Sequence, residues 1–264
     1  MQQHLIQRVD KVESESFVTL YGAARDHGAG WVTEDDVTAV WSAHDDDPSF
    51  SCVINLVRSP APERTLQRLE DAVRDNGGTV FGVDTHPDLE HWATDERLRR
   101  LGFEPDCEER IWALDLTAGS TPGNVNEEVR IQLAGPDDRD AFARTLNTGW
   151  GLPEDAARGH VFAAGIGLRN WYQYLAYVEE ELAGIAVLFI HDNVADCFLS
   201  ATLPGFRGKG IQTALIERRL ADGLDAGCDL ATSQTVVDNA SPRNMARRGF
   251  QPLYQRWIYG KKLR

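Results

Sequence analysis

An α/β fold in two units is predicted for this chain of 264 residues from three observations. Short apolar runs rich in β-branched residues alternate with stretches whose apolar positions recur at helical spacing. The motif Arg100-Leu101-Gly102-Phe103-Glu104-Pro105 returns as Arg247-Arg248-Gly249-Phe250-Gln251-Pro252, each time after a short basic helix and before a strand carrying Ile111 or Ile258. Between the halves, residues 117–128 (TAGSTPGNVNEE) are small, polar and broken by Pro122 and Gly123, the composition of a linker. The expected division is 1–116, a linker at 117–128, and 129–264.

In the first half, Leu5, Val9, Val12, Phe17 and Leu20 predict a helix pair over 4–25, which Gly28 and Gly30 end. Val37, Val40 and Trp41 predict a further helical piece over 35–44. The run SCVINLV at 51–57 reads as a strand, Ser59-Pro60-Ala61-Pro62 as a turn, and 63–75 as a helix with Leu66, Leu69 and Val73 inward. A strand over 79–83, a short helix over 95–101 and a strand over 110–116 complete it.

In the second half, a strand at 129–133 precedes a helix over 138–146 and another after Pro153. Residues 174–178 and 183–190 form a hairpin across the acidic turn Glu179-Glu180-Glu181, and 194–202 is the next strand. Ile216, Leu220 and Leu224 mark a helix that stops near Gly227. A strand at 230–237, a helix at 241–248 and a strand at 250–260 close the chain.

The chemistry concentrates in ATLPGFRGKGIQT, residues 201–213. A glycine-rich turn from strand to helix points several backbone N–H groups one way, and the helix adds its positive dipole end. Gly208 and Gly210 carry no Cβ and let the backbone approach an anion closely, while Arg207 and Lys209 supply positive charge. A pyrophosphate suits such a turn.

The stretch Arg207-Gly208-Lys209-Gly210-Ile211-Gln212 resembles the acyl-CoA pyrophosphate loop of the GNAT N-acetyltransferases, Arg/Gln-x-x-Gly-x-Gly/Ala, with Gln212 in place of the final small residue. The resemblance covers residues 129–264 strongly and the first half faintly. It implies a mixed, mostly antiparallel central sheet flanked by helices, in two tandem GNAT-like units. The first unit is degenerate, because its corresponding turn, Ser59-Pro60-Ala61-Pro62-Glu63-Arg64-Thr65, has no glycine, two prolines and an acidic residue.

The resemblance also implies the site. Ala201, Thr202 and Leu203 would hold the pantetheine arm through their backbone, and Arg207, Gly208, Lys209, Gly210, Ile211, Gln212 and Thr213 would cradle the phosphates. Asn239, Ser241 and Asn244 would meet the arm from the following segment, although Ser241 before Pro242 is also a good helix cap. Asp196 stands where the family often has a Glu that takes the amine proton through water; the alternative is a solvated carboxylate at a hairpin edge. His191 and His160 are other titratable candidates, and Trp150, Phe162 and Trp171 accompany His160 as acceptor-pocket or core aromatics. Many relatives protonate the departing thiolate with a Tyr; here that position is Met245, leaving Ser241 and Tyr254 as replacements.

The implied reaction moves an acetyl or other short acyl group from acetyl-CoA to the amine of a small molecule, by direct attack. A CoA-binding protein without transferase activity, or a CoA-thioester enzyme acting on a non-amine acceptor or water, is the alternative. Composition bounds this reading. The excess of 41 acidic over 27 basic residues, formally −14, opposes nucleic acid binding and favours a cationic partner, besides promoting solubility. Four separated cysteines without a CxxC pair are expected reduced, with no structural metal. No run is long and apolar enough for a membrane span or signal peptide, so a soluble cytoplasmic protein is expected.

Overall fold

The computed structural model describes residues 2–34, 36–117, 126–238 and 241–263. In chain order the elements are α1 (Gln2–Ala23), β1 (Ala29–Glu34), β2 (Val37–Ser42), β3 (Val53–Ile54), α2 (Pro62–Asp75), β4 (Val80–Asp84), α3 (Asp95–Arg100) and β5 (Glu104–Asp115). There follow β6 (Val129–Leu133), α4 (Arg139–Trp150), α5 (Ala157–Ala163), β7 (Trp171–Val178), β8 (Glu181–His191), β9 (Val194–Thr202), α6 (Ile211–Asp225), β10 (Leu230–Val236), α7 (Ser241–Arg247) and β11 (Gln251–Lys262). Among the described residues no helix is long and apolar enough to cross a membrane.

The chain divides into two compact units. The larger comprises Met1–Glu13, Ile111–Thr235 and Asn239–Leu253; the smaller comprises Ser14–Arg110, Val236–Asp238 and Tyr254–Arg264. A cut at 117–128 would separate most of each, but both chain ends are exchanged. The start of α1 is tied within the larger unit by Arg8 to Asp229 and Lys11 to Asp192. The end of β11 pairs with β4 within the smaller, from Ile258 opposite Asp84 to Lys262 opposite Val80. Long-range pairing of this kind leaves no mark in local composition. Part of the expected linker, 118–125, lies outside the described residues.

In the larger unit β6, β7, β8 and β9 are successive antiparallel neighbours, and β10 lies parallel to β9. The part of β5 from Ile111 follows β10, held where Trp112 Nε1 donates to Thr235 Oγ1 at 2.8 Å and Thr232 Oγ1 donates to the Trp112 carbonyl at 2.9 Å. Helices α6 and α7 bury Ile211, Leu215, Ile216 and Met245 against Tyr174, Ala186, Leu188 and Ala195. Burial of such apolar surface is the main term holding the layers together. Helices α4 and α5 bring Trp150 and Phe162 together at 6.2 Å between ring centroids, and Phe162 meets Phe198 of β9 at 5.8 Å.

In the smaller unit β1, β2 and β3 form an antiparallel sheet, and a parallel bridge from Cys52 to Gly82 joins the start of β3 to β4. Val37, Trp41, Leu66, Leu69, Val73, Phe81 and Phe103 form its core. The order β3–α2–β4–α3–β5 repeats as β9–α6–β10–α7–β11. In both, the second strand runs parallel to the first, and the short helix ends in a left-handed glycine, Gly102 (φ 87°) or Gly249 (φ 86°), before a buried Phe.

The large mixed, mostly antiparallel sheet flanked by helices agrees with the predicted class. Local differences have physical causes. The helix expected over 35–44 is the strand β2, paired with β1 from Val37 opposite Glu34 to Ser42 opposite Ala29. All six β2 residues are buried, so their apolar positions carried no usable period, and the β-branched Val-Thr-x-Val sequence favours the strand. The expected helix pair over 4–25 is one helix, and the strand over 51–57 contracts to two residues because Asn55 turns left-handed at φ 62°.

Candidate active site

The site begins where two parallel strands separate. Strands β9 and β10 are in register only at Val194–Leu230, Ala195–Ala231 and Asp196–Thr232, although β9 continues to Thr202 and β10 to Val236. Just past the last pair, Ser233 Oγ donates to the Cys197 carbonyl at 3.2 Å. The register between β8 and β9 shifts at the same level: Val187 opposes Leu199, whereas Phe189 opposes Asp196. Two steps along β8 thus match three along β9, which is a β-bulge, and a bulge bends its strand and increases the local twist.

The bulge decides which backbone groups face the opening. The Leu203 N–H donates to the Ala183 carbonyl at 2.9 Å, and the register runs unbroken from there to Leu199. Antiparallel pairing alternates, so residues 199, 201 and 203 turn their N–H groups to β8, while Ser200 and Thr202 turn theirs away from it, to the side that β10 has left. Of the three residues expected to hold the pantetheine arm, Thr202 therefore has the right orientation and Ala201 and Leu203 do not; Ser200 joins Thr202. The Trp150 indole donates to the Ser200 carbonyl at 3.1 Å, on that same side. Close approach of α4 requires Gly149, where an added Cβ would lie 2.8 Å from Ala201 Cβ.

After β9, a short turn over Pro204–Phe206 leads to Arg207, and Gly208 and Gly210 both adopt φ 80°. Left-handed backbone explains both glycines, since an L side chain costs energy there. Helix α6 then starts at Ile211 with no side chain capping it, and its first intrahelical bond within this turn runs from the Ala214 N–H to the Gly210 carbonyl. The N–H groups of Ile211, Gln212 and Thr213 thus have no partner within the helix, directly after the exposed residues 207–210. That is an anion site in the making. Arg207 contributes differently from expectation: its Nη2 donates to the Gly149 carbonyl at 2.9 Å and anchors the loop to the end of α4. Lys209 Nζ lies 5.0 Å from the Phe206 ring centre, and Asn126 holds the Lys209 carbonyl at 3.1 Å.

Gln212, the departure from the family pattern, joins two other expected contacts. Its Nε2 donates to Ser241 Oγ at 3.2 Å and its Oε1 accepts from Asn244 Nδ2. One polar cluster thus links the start of α6 to the start of α7, next to the separated strands. Asn239 lies outside the described residues. Met245 is buried in the core, and Tyr254 lies in the smaller unit, its ring 5.3 Å from His86.

Asp196 sits at the last paired position before the opening. It is 1% exposed, and neither carboxyl oxygen has a hydrogen-bond partner among the described residues. Burial pushes its pKa well above the ordinary carboxylate value, the Glu13 carboxylate adds to this, and the Arg219 guanidinium opposes it. Asp196 is therefore not the solvated carboxylate of a hairpin edge. A carboxyl held this way is a stronger base once ionised. His191 lies beside Asp192 at 3.5 Å, and Glu179 to Glu181 form an exposed turn. Phe198, two residues past Asp196, meets Trp171 edge-on at 5.7 Å; Phe162 and Trp171 are buried, while Trp150 and Phe198 are half-buried.

Sequence reasoning missed Gly149, Ser200, Glu13 and Arg219. The first three carry no local signal, because register and tertiary approach select them. Arg219 did carry one: it stands three residues after Ile216, on the apolar stripe of α6.

A strand pair separated beyond a β-bulge, followed by a left-handed glycine turn into an uncapped helix, is the geometry of the candidate site. Residues 142–250 match the acetyltransferase (GNAT) family. Among solved structures, a GCN5-related N-acetyltransferase from Kribbella flavida is similar over 96% of this chain and 94% of its own, with 14% identity and a TM-score of 0.63. Another, from Sphaerobacter thermophilus, is similar over 89% and 83%, with 13% identity and a TM-score of 0.60. A tandem GNAT protein from the clavulanic acid biosynthesis pathway is similar over 89% and 83%, with 16% identity and a TM-score of 0.55. No curated protein sequence matches the chain. At these identities the likeness shows the fold, and the family match indicates acyl-CoA-dependent acyl transfer in general.

Proposed function

We propose that the larger unit transfers an acetyl or other short acyl group from acyl-CoA to the amine of a small molecule. The observation that carries this reading is the divergence of β9 and β10 beyond Asp196 and Thr232, adjoining the open N–H groups of α6. These residues fit the co-substrate: Gly208, Gly210 and the N–H groups of residues 211–213 suit a pyrophosphate, and the Gln212–Ser241–Asn244 cluster suits an amide-rich arm. When bound, acyl-CoA supplies an acyl group activated as a thioester.

The chain's own residues then have three tasks. The N–H groups of Ser200 and Thr202 hold the strand side of the opening and offer donors to a carbonyl oxygen that gains charge. Asp196 takes the proton that the amine nitrogen loses as it forms the new amide bond, directly or through one water. As the carbon–sulfur bond breaks the sulfur leaves as a thiolate, which Ser241, whose oxygen accepts from Gln212, steadies by a hydrogen bond and which takes its proton from solvent. Held by such a site, the two reactants gain mainly from proximity. The acidic surface favours a cationic acceptor, and a soluble cytoplasmic protein remains our reading of the location.

The rival reading, a CoA-binding protein without turnover, draws on the burial of Met245 and of Asp196. Free-thiol release from acetyl-CoA, measured across a panel of small amines with wild type and Asp196→Asn, separates the two. Amine-dependent release that the substitution abolishes supports transfer. Thiol release that needs no amine would point to hydrolysis, and none with any amine or acyl chain would leave binding alone.

A further inference from the structure

We propose that Arg219 is a positioning residue for the reaction: it fixes the β-bulge that sets Asp196 and the Ser200 N–H at the opening between β9 and β10. This rests on the reading of that opening as the acyl-transfer site.

The geometry is unusual for a helix arginine. Arg219 is 1% exposed in the middle of α6. Its Nε donates to the Leu215 carbonyl at 3.1 Å, and its Nη1 donates to the carbonyls of both Val187 and Leu199 at 3.2 Å each. Those two residues oppose each other in register and are the first regular pair on the far side of the bulge. The carbonyls of a regular pair need no guanidinium, and burying one is expensive unless it is matched. An apolar side chain would fill the same place in α6 at less cost for packing alone. The third nitrogen, Nη2, has no hydrogen-bond partner among the described residues, and neither have the carboxyl oxygens of Asp196 on the other side of the bulge.

The charged groups that bear on Asp196 are Glu13 of α1, which disfavours its ionised form, and Arg219, which favours it. Arg219 thus acts on the strand in two ways. Its hydrogen bonds hold the extra residue in β9, and its charge keeps a buried carboxyl within reach of ionisation. It also belongs to the helix whose first turn forms the anion site, so one rigid element bears on both halves of the site.

The test uses Arg219→Gln, which removes the charge, and Arg219→Lys, which keeps it but cannot span both carbonyls. Circular dichroism checks folding, acetyl-CoA-induced stabilisation checks binding, and kcat is followed against pH. Deprotonated Asp196 is the active form, so the rate falls on the acid side. Arg219→Gln is expected to move that acid limb upward by about one pH unit or more. It should also lower kcat at least about tenfold, with KM for acetyl-CoA changed far less. Arg219→Lys should lower kcat while leaving the limb near its wild-type place. Glu13→Gln, which removes the opposing charge, should move the limb downward and keeps the test open if Arg219→Gln does not fold. Acid limbs unmoved in folded Arg219→Gln, or in Glu13→Gln, would overturn the proposal while amine-dependent turnover in wild type left the proposed function standing. Absence of acetyl-CoA stabilisation in wild type would instead overturn the reading of the site, and this inference with it.

Discussion

The two units share a succession of elements and differ at the turn from strand into helix. In the larger unit two left-handed glycines lead into α6, whose first turn has no side-chain cap. In the smaller unit Ser59 Oγ accepts from the Ala61 N–H at 3.0 Å and lies 2.8 Å from Thr65 Oγ1, Pro62 opens α2 with no N–H, and Glu63 follows it. The strands differ as well. Where β9 runs on past its pairing, β3 ends after two residues, and Pro48 fills the space beside Gly82, whose added Cβ would lie 2.1 Å from the Pro48 carbonyl oxygen. Neither helix has a side-chain cap; the smaller unit's turn loses one N–H donor at Pro62 and carries the acidic Glu63, whereas the larger unit's turn keeps the N–H groups of Ile211, Gln212 and Thr213 near Lys209. On the proposed function, the capacity to hold an anion follows from the open N–H donors and the charge beside them.

The comparison can be sharpened by substitutions, of which Asp196→Asn should act most strongly. Turnover is expected to fall by about 10²–10⁴-fold with acetyl-CoA binding retained, measured by thiol release and calorimetry. The same variant should be more stable than wild type at neutral pH. A carboxyl whose folded pKa is raised binds its proton in the native chain while the unfolded chain has lost it. Stability is therefore full below the ordinary value of 3.8 and falls as pH rises through the raised folded value. Asn escapes that fall, so the difference in unfolding midpoint should vanish in strong acid; a difference independent of pH would mean that folding does not raise the Asp196 pKa.

Next in size is stoichiometry. Titration calorimetry should give one acetyl-CoA per chain, and a second site of similar affinity would erase the distinction between the two turns. Gln212→Ala should weaken acetyl-CoA by roughly fivefold, the loss of about one kcal/mol from a polar cluster. The smallest effect belongs to Glu63→Gln: removing one acidic side chain neither restores N–H donors nor clears Pro48, so stoichiometry should stay at one, with stability within about 0.5 kcal/mol.

Much of this contrast was legible in the sequence. Glycines, prolines and the charges beside them report backbone conformation directly, so the two turns were told apart without coordinates. The Gly-Phe repeat located equivalent elements because a left-handed glycine and a buried aromatic are both local demands. The helix expected over 35–44 failed for the opposite reason: residues 37–42 are buried throughout, and a run with no exposed side has no period to read. The orientation of residues 200–203 was also out of reach, since an extra residue in β9 exists only relative to β8. Asp196 was found by position, yet its burial between Glu13 and Arg219 depends on residues 183 positions before it and 23 after it along the chain.

On the proposed function, the glycine turn before α6 holds the pyrophosphate of acyl-CoA. The most direct measurement is thermal unfolding with and without saturating acetyl-CoA, in wild type, Gly208→Asn and Gly208→Asp. Both side chains tolerate left-handed backbone, and nothing lies within 4 Å of a Cβ added at Gly208, so the pair differs mainly in charge. Ligand that binds the native state must raise the midpoint. We expect a rise in wild type and Gly208→Asn and little or none in Gly208→Asp. Equal rises in all three would place the phosphates elsewhere, and no rise in wild type would contradict the account.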